Sequence, residues 1–529
     1  MDSWTFFVLA FIATIKLSAS VDGPTVEVAE GTLRGVVDRT ADNTTFYKFL
    51  KIPYARAPLG SLRFTAPQEH AKWTGERDAT KYGHTCLQYP NSGANSEDCL
   101  FINVYTPLLP SGKANESLLP VMVHIHGGAF VTGSANAGPG QLMNYGVVMA
   151  SIAYRLNLFG FTSIQGTDAP GNAGLKDQVA ALKWIRKNIR QFVGDPDMVT
   201  IMGESAGGAS VHYHILSPGS RGLFHRAISE SGSALNPFAF GQNTEASAFE
   251  LSALVGRPAG NRSELVEALR AASASELLEA LPNVTVRPGS QRPFAPCLEF
   301  PREGEQPFLT RTPWDLVRAG NFVFVPYIAG STEREAASSA QSSDLFWQGV
   351  DENPEEYLVP HDLGLARGSN ESIEVAAQVK RFYFGDAAVS NATRDRWVDL
   401  ETDLKYALGV VTTVHAHARF STAKTFNYWL TFGAATHAME WRYVVYGGQV
   451  LGVDSRVAGL ARSLGQLWTS FAKTGTPEAG GEVAWLPVAP ESYPYLEINP
   501  PNSLHYDVEK DRMDFWFGIY DKYRHTETN

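Results

Sequence analysis

The chain has 529 residues, a formal net charge of −11, 44% hydrophobic residues and 19% charged residues. This is the composition of a folded globular protein and not of a disordered one. The acidic balance, without any cluster of Lys and Arg, argues against nucleic-acid binding. The three Cys exclude a disulfide scaffold and a multi-zinc protein, and they allow at most one disulfide within the chain.

Residues 1–20 have the pattern of a secretory signal peptide. The apolar run from Thr5 to Ile15 is too short to span a membrane, it is broken at Lys16, and small residues follow. We therefore predict that residues 21–529 form a mature, secreted protein without a membrane anchor.

Six Asn-x-Ser/Thr motifs agree with secretion, because such motifs are acceptors for N-glycosylation in extracellular proteins. They lie at Asn43, Asn115, Asn261, Asn283, Asn370 and Asn391. We expect some of these sites to be glycosylated, but not all.

Apolar runs of strand length alternate with helical patterns along the body of the chain. The predicted strands are 121–126, 147–154, 198–202, 323–329 and 426–430, and the predicted helices include 175–189 and 206–216. Residues 256–281 are more polar and should form peripheral helices. Strands that alternate with helices build a mostly parallel sheet with helices on both faces. The sequence thus predicts an α/β fold in a single large domain, in which the strands are apolar because both faces of the sheet are buried.

The sequence GESAG at 203–207 follows one predicted strand and precedes a predicted helix. A nucleophilic Ser on a sharp turn needs this strand–turn–helix setting, with Gly residues where the strand and the helix crowd together. The partial positive charge at the start of the helix also favours developing negative charge. We therefore predict that Ser205 is a catalytic nucleophile.

A Ser hydroxyl needs a base to accept its proton, and in this arrangement an acid and then a His follow the Ser along the chain. His437 lies in a loop just after the predicted strand 426–430, where such folds place catalytic groups. Glu333 and Glu335 both follow the strand 323–329 closely enough to be the acid. Their spacing alone does not choose between them.

The tetrahedral transition state of acyl transfer carries an oxyanion, which needs N–H donors already in position. The Gly-rich sequence HGGAF at 126–130 follows the strand 121–126 and can supply such donors. The N–H of Ala206, directly after the nucleophile, should complete this oxyanion hole.

In these residues the chain resembles the type-B carboxylesterases of the cholinesterase and carboxylesterase family, and in particular secreted insect esterases. Proteins of this family have the α/β-hydrolase fold. The resemblance runs from about Gly31 to Phe517. Its motifs are EDCLFINVYTP at 97–107, FVGDP at 192–196 leading into 203–207, NAGLKDQ at 172–178 and WTSFAKTGTP at 468–477. Val193 departs from the usual Gly or Arg of the second motif.

The resemblance implies particular roles for particular residues. It places the catalytic acid five residues after the Gly that ends the strand, which is Glu335, and assigns the oxyanion donors to Gly128, Ala129 and Ala206. The remaining implied pairs are a structural ion pair of Arg155 with Asp177 and a disulfide of Cys86 with Cys99, which leaves Cys297 as a buried free thiol. Ala129 departs from the more common Gly, but its N–H remains.

The implied function is hydrolysis of carboxylic esters through a Ser205–His437–Glu335 triad and an acyl-enzyme, with water as the second substrate and without a metal or cofactor. We do not expect the pairs His124/His126 and His212/His214 to bind metal.

The loop 86–99 lacks the Trp with which cholinesterases bind a quaternary ammonium group, so a broad carboxylesterase acting on xenobiotic, lipid or odorant esters is favoured. The alternatives are a juvenile-hormone-type esterase, which Glu204 in place of Gln disfavours, and a non-catalytic adhesion or organophosphate-sequestering protein.

Overall fold

The computed structural model describes residues 23–524, except for 92, 113–116, 243, 287–291, 301, 303, 339, 341–342, 446–454 and 479–482. The predicted signal segment 1–20 and the sequon at Asn115 therefore lie outside the described residues. The other five sequons carry exposed Asn side chains.

The strands of the described residues are numbered β1 to β16 in chain order. They are Thr25–Val28, Gly31–Arg34, Val36–Arg39, Thr45–Pro53, Glu76–Asp78, Thr85–Cys86, Asn95–Ser96, Phe101–Thr106, Leu119–Ile125, Val148–Ile152, Gly194–Glu204, Arg226–Glu230, Tyr327–Thr332, Thr425–Leu430, Pro494–Ile498 and Ser503–Tyr506.

The α-helices of the described residues are numbered α1 to α15. They are Asn157–Phe161, Ala173–Asn188, Ala206–Leu216, Thr244–Leu254, Arg262–Ala271, Ala274–Ala280, Pro313–Arg318, Asp344–Glu352, Pro354–Leu358, Asn370–Phe384, Arg394–Thr402, Leu408–Phe420, Met439–Val445, Ser455–Thr474 and Lys510–Tyr523. A π-helical stretch, Asp403–Ala407, joins α11 to α12.

An 11-stranded sheet organises the molecule, with the strand order β16-β15-β14-β13-β12-β11-β9-β10-β8-β4-β3. The strands from β10 through β9 and β11 to β15 pair in parallel, whereas the pairs at the two edges are antiparallel. This confirms the predicted mostly parallel sheet. It also brings the carboxyl ends of β9, β11, β13 and β14 to one edge.

Helices cover both faces of the sheet, as predicted. In β9, Val121, Val123 and Ile125 pack into the core shared with α2 and α3, whereas Met122 packs into the core shared with α13 and α14. Successive side chains of a strand point to opposite faces, so a strand between two helical layers must be apolar at every position. The third apolar cluster joins α8 to α11 with α15 at the periphery.

One predicted strand is displaced along the chain. The apolar pattern predicts a strand at 323–329, but β13 begins only at Tyr327. Pro326 has no N–H to donate to a neighbouring strand, and the N–H of Val323 is bound to the carbonyl of Ile215. The strand therefore starts after the proline and continues further toward the site, to Thr332.

Two implied structural pairs are present. Cys86 and Cys99 form a disulfide, and Cys297 is a buried free thiol. The guanidinium of Arg155 donates to both carboxylate oxygens of Asp177, each at 2.7 Å, and the pair is buried. Among the described residues, no helix is long and apolar enough to cross a membrane.

Candidate active site

Ser205 lies at the turn between β11 and α3, as the sequence predicts. Its backbone has φ 59° and ψ −122°, a conformation that L-residues rarely adopt. Such strain persists only where the surroundings enforce it, and it is typical of a nucleophile held on a sharp elbow. The side chain of Ser205 is thus carried at the edge where the parallel strands end.

The two motif glycines are required by close backbone contacts. A Cβ at Gly207 would lie 2.0 Å from the carbonyl oxygen of Ile125, and a Cβ at Gly203 would lie 2.4 Å from the same oxygen. A third such position, which no sequence motif predicted, is Gly232, where a Cβ would lie 1.9 Å from the carbonyl oxygen of Ser205. Glycine at all three positions lets β9, the elbow and the segment after β12 approach one another.

His437 and Glu335 meet although they are far apart in the sequence. Nδ1 of His437 lies 2.6 Å from Oε2 of Glu335, and the other oxygen of Glu335 accepts the N–H of Thr332 at 2.7 Å. Glu335 is 1% exposed. A fully held carboxylate on Nδ1 leaves Nε2 of the ring available to a nucleophile.

The structure distinguishes the two acids that the spacing left open. Glu335 contacts His437, whereas Glu333 is only half-buried and is held through its backbone N–H to Leu430. The N–H of Arg334 binds the carbonyl of Ala435, which ties the acid loop to the His loop. The position five residues after Gly330 is therefore the one that reaches the imidazole.

The hydroxyl of Ser205 forms no hydrogen bond with any residue that the structure describes, including His437. The elbow and the His segment are nevertheless joined through His124, which contacts Glu204 and stacks on Trp441. Catalytic hydrogen bonds are often long before substrate binds.

The electrostatics of His437 favour its protonated form. Burial lowers the pKa of His437, but the negative charge of Glu335 and its hydrogen bond outweigh burial, so the pKa lies above the ordinary 6.5. The ring of Tyr406, in the π-helical stretch, packs on the imidazole with centroids 4.5 Å apart. The helical pattern of the sequence gave no sign of the π-turn, and π-bulges are frequent at functional sites.

The predicted oxyanion donors are free of protein acceptors. Within the described part of the chain, the N–H groups of Gly128, Ala129 and Ala206 have no hydrogen-bond partner, whereas the N–H of Gly127 donates to Oε1 of Glu204 at 2.7 Å. Ala129 adopts φ 56°. The residue therefore keeps a left-handed backbone conformation, although it carries a methyl group that the more common Gly lacks. The loop and the first residue of α3 can therefore offer the three predicted donors.

A second carboxylate lies behind the His loop and was missed by the sequence analysis. Oε1 of Glu440 accepts from Tyr428 at 2.8 Å and from Ser231 at 3.1 Å. Burial, followed by the nearby charge of Glu335, raises the pKa of Glu440 to about 7. Glu440 follows His437 closely in the sequence, but no motif marks it, because its partners Tyr428 and Ser231 come from other parts of the chain.

Protein groups surround the two His-x-His pairs. His124 contacts Glu204, and His126 contacts the carbonyl of Gly127. Nδ1 of His212 contacts Ser233, and both nitrogens of His214 are bound, to Ser220 and Gln178. Among the described residues, no group of three or more His, Cys, Asp or Glu could hold a metal ion.

A mostly parallel sheet with a strained Ser elbow, an acid loop and a His loop at one edge defines an α/β-hydrolase. Comparison with known proteins gives the family. The carboxylesterase family model matches residues 22–516, and the chain belongs to this family, which makes it a carboxylic ester hydrolase of the serine type.

Individual relatives agree over nearly the whole length. The chain is 32% identical to a carboxylic ester hydrolase of Bombus ignitus, covering 93% of each chain, and 34% identical to esterase FE4 of Myzus persicae, covering 90% of this chain and 89% of the relative. It is similar to the crystal structure of juvenile hormone esterase from Manduca sexta with OTFP covalently attached, with a TM-score of 0.84 and 28% identity over 94% of this chain and 99% of that one.

Proposed function

We propose that Ser205, His437 and Glu335 are the catalytic triad of this carboxylesterase. The observation that carries the assignment is the 2.6 Å contact of His437 with a buried Glu335 at the edge where the elbow presents Ser205. The chain order of Ser, Glu and His is the order expected of the fold.

In the first step, Nε2 of His437 accepts the Ser205 proton while Oγ attacks the ester carbonyl. Glu335 stabilises the imidazolium that forms, and His437 then returns the proton to the leaving alcohol. In the second step, water attacks the acyl-enzyme with His437 again as the base, which releases the acid and regenerates Ser205. The Ser205–His437 hydrogen bond forms when substrate fills the site.

The oxyanion of each tetrahedral intermediate is held by the N–H groups of Gly128, Ala129 and Ala206. These N–H groups have no acceptor among the described residues, which supports this role, because a donor already in use could not stabilise the new charge. Ala206 is the first residue of α3, so its N–H also lies at the positive end of that helix.

The substrates that we propose are carboxylic esters of broad structure, such as xenobiotic, lipid or odorant esters. The absence of Trp from the 86–99 sequence removes the cation–π platform that an acetylcholine-type substrate would need. Juvenile hormone esters are the specific alternative, since relatives of that name are found in Manduca sexta and Tribolium castaneum.

The test is turnover of p-nitrophenyl acetate and labelling by a fluorophosphonate, with Ser205→Ala and Ser210→Ala compared with the wild type. Ser210 is a buried Ser in the helix that follows Ser205, and its hydroxyl donates to a backbone carbonyl, so it is a matched control. We expect Ser205→Ala alone to abolish both signals. Fluorophosphonate labelling that survives in Ser205→Ala would refute the assignment of Ser205 as the nucleophile. A panel of acyl lengths that includes juvenile hormone separates the broad esterase from the specific alternative.

We also propose that the protein is secreted and N-glycosylated. The leading pattern at 1–20, the Cys86–Cys99 disulfide and the five exposed sequons support this. Expression of the full chain in insect cells should deliver it to the medium, and glycosidase treatment should increase its mobility on a gel. Retention of the whole product inside the cells, without a mobility change, would contradict the proposal.

A further inference from the structure

His124 makes polar and stacking contacts in addition to its packing in the sheet core. It lies near the end of β9, is 1% exposed, and its Nε2 is 2.8 Å from Oε2 of Glu204. Its Nδ1 lies 3.3 Å from the hydroxyl of Ser151. The imidazole stacks on Trp441, with ring centroids 3.5 Å apart and an interplanar angle of 12°.

These contacts join the three segments that carry the proposed chemistry. Glu204 immediately precedes the nucleophile, and Trp441 lies one helical turn after His437. The second oxygen of Glu204 accepts the N–H of Gly127 at 2.7 Å, and Gly127 begins the oxyanion loop. His124 therefore touches the elbow and the His segment directly, and the oxyanion loop through one carboxylate.

We propose that His124 is a positioning residue of the hydrolase, one that fixes the Glu204 carboxylate and, through it, the oxyanion loop. Its Nε2–H occupies one oxygen of Glu204, so the other oxygen is directed at the Gly127 N–H. The two peptide planes that follow Gly127 then aim the N–H groups of Gly128 and Ala129 at the oxyanion. The inference rests on the proposed function, because it assigns a task within that same site.

The physical reason lies in the cost of an unpaired buried carboxylate. Without the imidazole, one oxygen of Glu204 would lose the side-chain donor that it has among the described residues, and a buried charged group does not remain unsatisfied. The carboxyl group would rotate or take up a proton, and either change weakens its bond to Gly127. Oxyanion donors act within a narrow range of distance to the developing charge, so a small shift of the loop affects the transition state more than substrate binding.

A merely structural His124 makes a different prediction. If the ring only fills space against Trp441, an aromatic replacement should keep kcat and change only stability. The chain offers a matched control in His415, which stacks on Tyr493 with centroids 3.6 Å apart and forms no ion pair with any residue that the structure describes. His124→Phe and His415→Phe both keep a ring on an aromatic partner, and only the first removes a donor to Glu204.

The experiment measures kcat and KM with p-nitrophenyl acetate for the wild type, His124→Phe, His124→Gln and His415→Phe. Active sites are counted by fluorophosphonate labelling of Ser205. Because loss of one oxyanion donor costs about 10²–10³ in kcat, partial misalignment in His124→Phe should lower kcat by about 10- to 100-fold, with KM within about twofold. His124→Gln keeps a donor and should recover most of kcat, and His415→Phe should match the wild type.

A wild-type kcat in folded His124→Phe, or an equal loss in His124→Phe and His124→Gln, would overturn the inference. If His124→Phe does not fold, the comparison of His124→Gln with His124→Leu at matched labelling decides in the same way. Absence of turnover in the wild type would instead defeat the proposed function, so the two failures are distinguishable.

Discussion

Replacing Glu335 with Gln removes the negative charge that lies beside Nδ1 of His437 and leaves the shape of the site unchanged. The carboxylate is 1% exposed and lies 2.6 Å from the imidazole, so bulk water cannot replace it. An amide can also donate to Nδ1, which would favour the tautomer with hydrogen on Nε2, and that tautomer cannot accept the Ser205 proton. The loss of charge destabilises the imidazolium as it forms, the wrong tautomer prevents the proton transfer that would form it, and both effects lower kcat.

The magnitude follows from the contact. Losing one partner of a buried ion pair costs about 3–5 kcal/mol, and about 1.36 kcal/mol is a factor of ten in rate, so kcat should fall by roughly 10²- to 10⁴-fold. The pH dependence should change as well. His437 must be neutral to act as a base, so wild-type activity should rise with pH through a pKa above 6.5. Without the charge that raises the pKa, burial dominates, and the acidic limb should move to lower pH.

The assay is the pH profile of kcat/KM for p-nitrophenyl acetate between pH 4 and 9. Glu333→Gln is the matched control, because Glu333 lies two residues away without contacting His437. It should keep kcat within about twofold, since surface changes of this kind are usually worth less than 0.5 kcal/mol. If Glu335→Gln keeps its activity and its acidic limb while Glu333→Gln loses them, the assignment of the acid is refuted.

Three further changes test other parts of the structure. Asp177→Asn leaves its partner Arg155 buried without a countercharge, so the free energy of unfolding in urea should fall by about 3–5 kcal/mol. An unchanged midpoint of urea unfolding would refute the stabilising role of this ion pair. Burial raises the pKa of Cys297 to about 11, so a thiol reagent at neutral pH should label it only after denaturation; rapid native labelling would contradict this. Gly232→Ala places a Cβ 1.9 Å from the Ser205 carbonyl oxygen and should abolish turnover. Gly138→Ala is the control, because there is open space around Gly138, and it should keep its activity. Equal activities of the two variants would refute the importance of the Gly232 contact.

The regular elements near the site could be predicted because they follow local rules. Helix α3 spans the predicted range 206–216, and α2 spans Ala173–Asn188 against a prediction of 175–189. The strand before the elbow was predicted too short, since β11 begins at Gly194 in a polar stretch that the apolar pattern does not reveal. Apolar periodicity detects the buried part of an element, but hydrogen bonding to a neighbour sets its ends.

The residues that support the triad could not be predicted in the same way. Glu440 contacts Ser231 across more than 200 positions of the chain, and Tyr406 reaches His437 from a π-turn. No spacing rule relates such residues, because their proximity is created by the order of the strands in the sheet. Glu335 could be chosen over Glu333 only from the resemblance, and the structure supplies the physical reason, the turn that directs its side chain back to His437.

Ala129 shows how a departure from a family pattern can leave a site intact. A non-glycine residue with φ 56° is strained by about 1–3 kcal/mol, so the loop needs contacts that hold it in place. Those contacts flank it: Glu204 binds the N–H of Gly127 on one side, and the carbonyl of Phe130 accepts the N–H of Asn157 at 2.7 Å on the other. The strain at Ala129 is therefore enforced at both ends of the loop, and its N–H, which has no acceptor among the described residues, remains available to the proposed oxyanion hole. This makes the carboxylate before the nucleophile, and the imidazole that holds it, part of the reason why alanine is tolerated there.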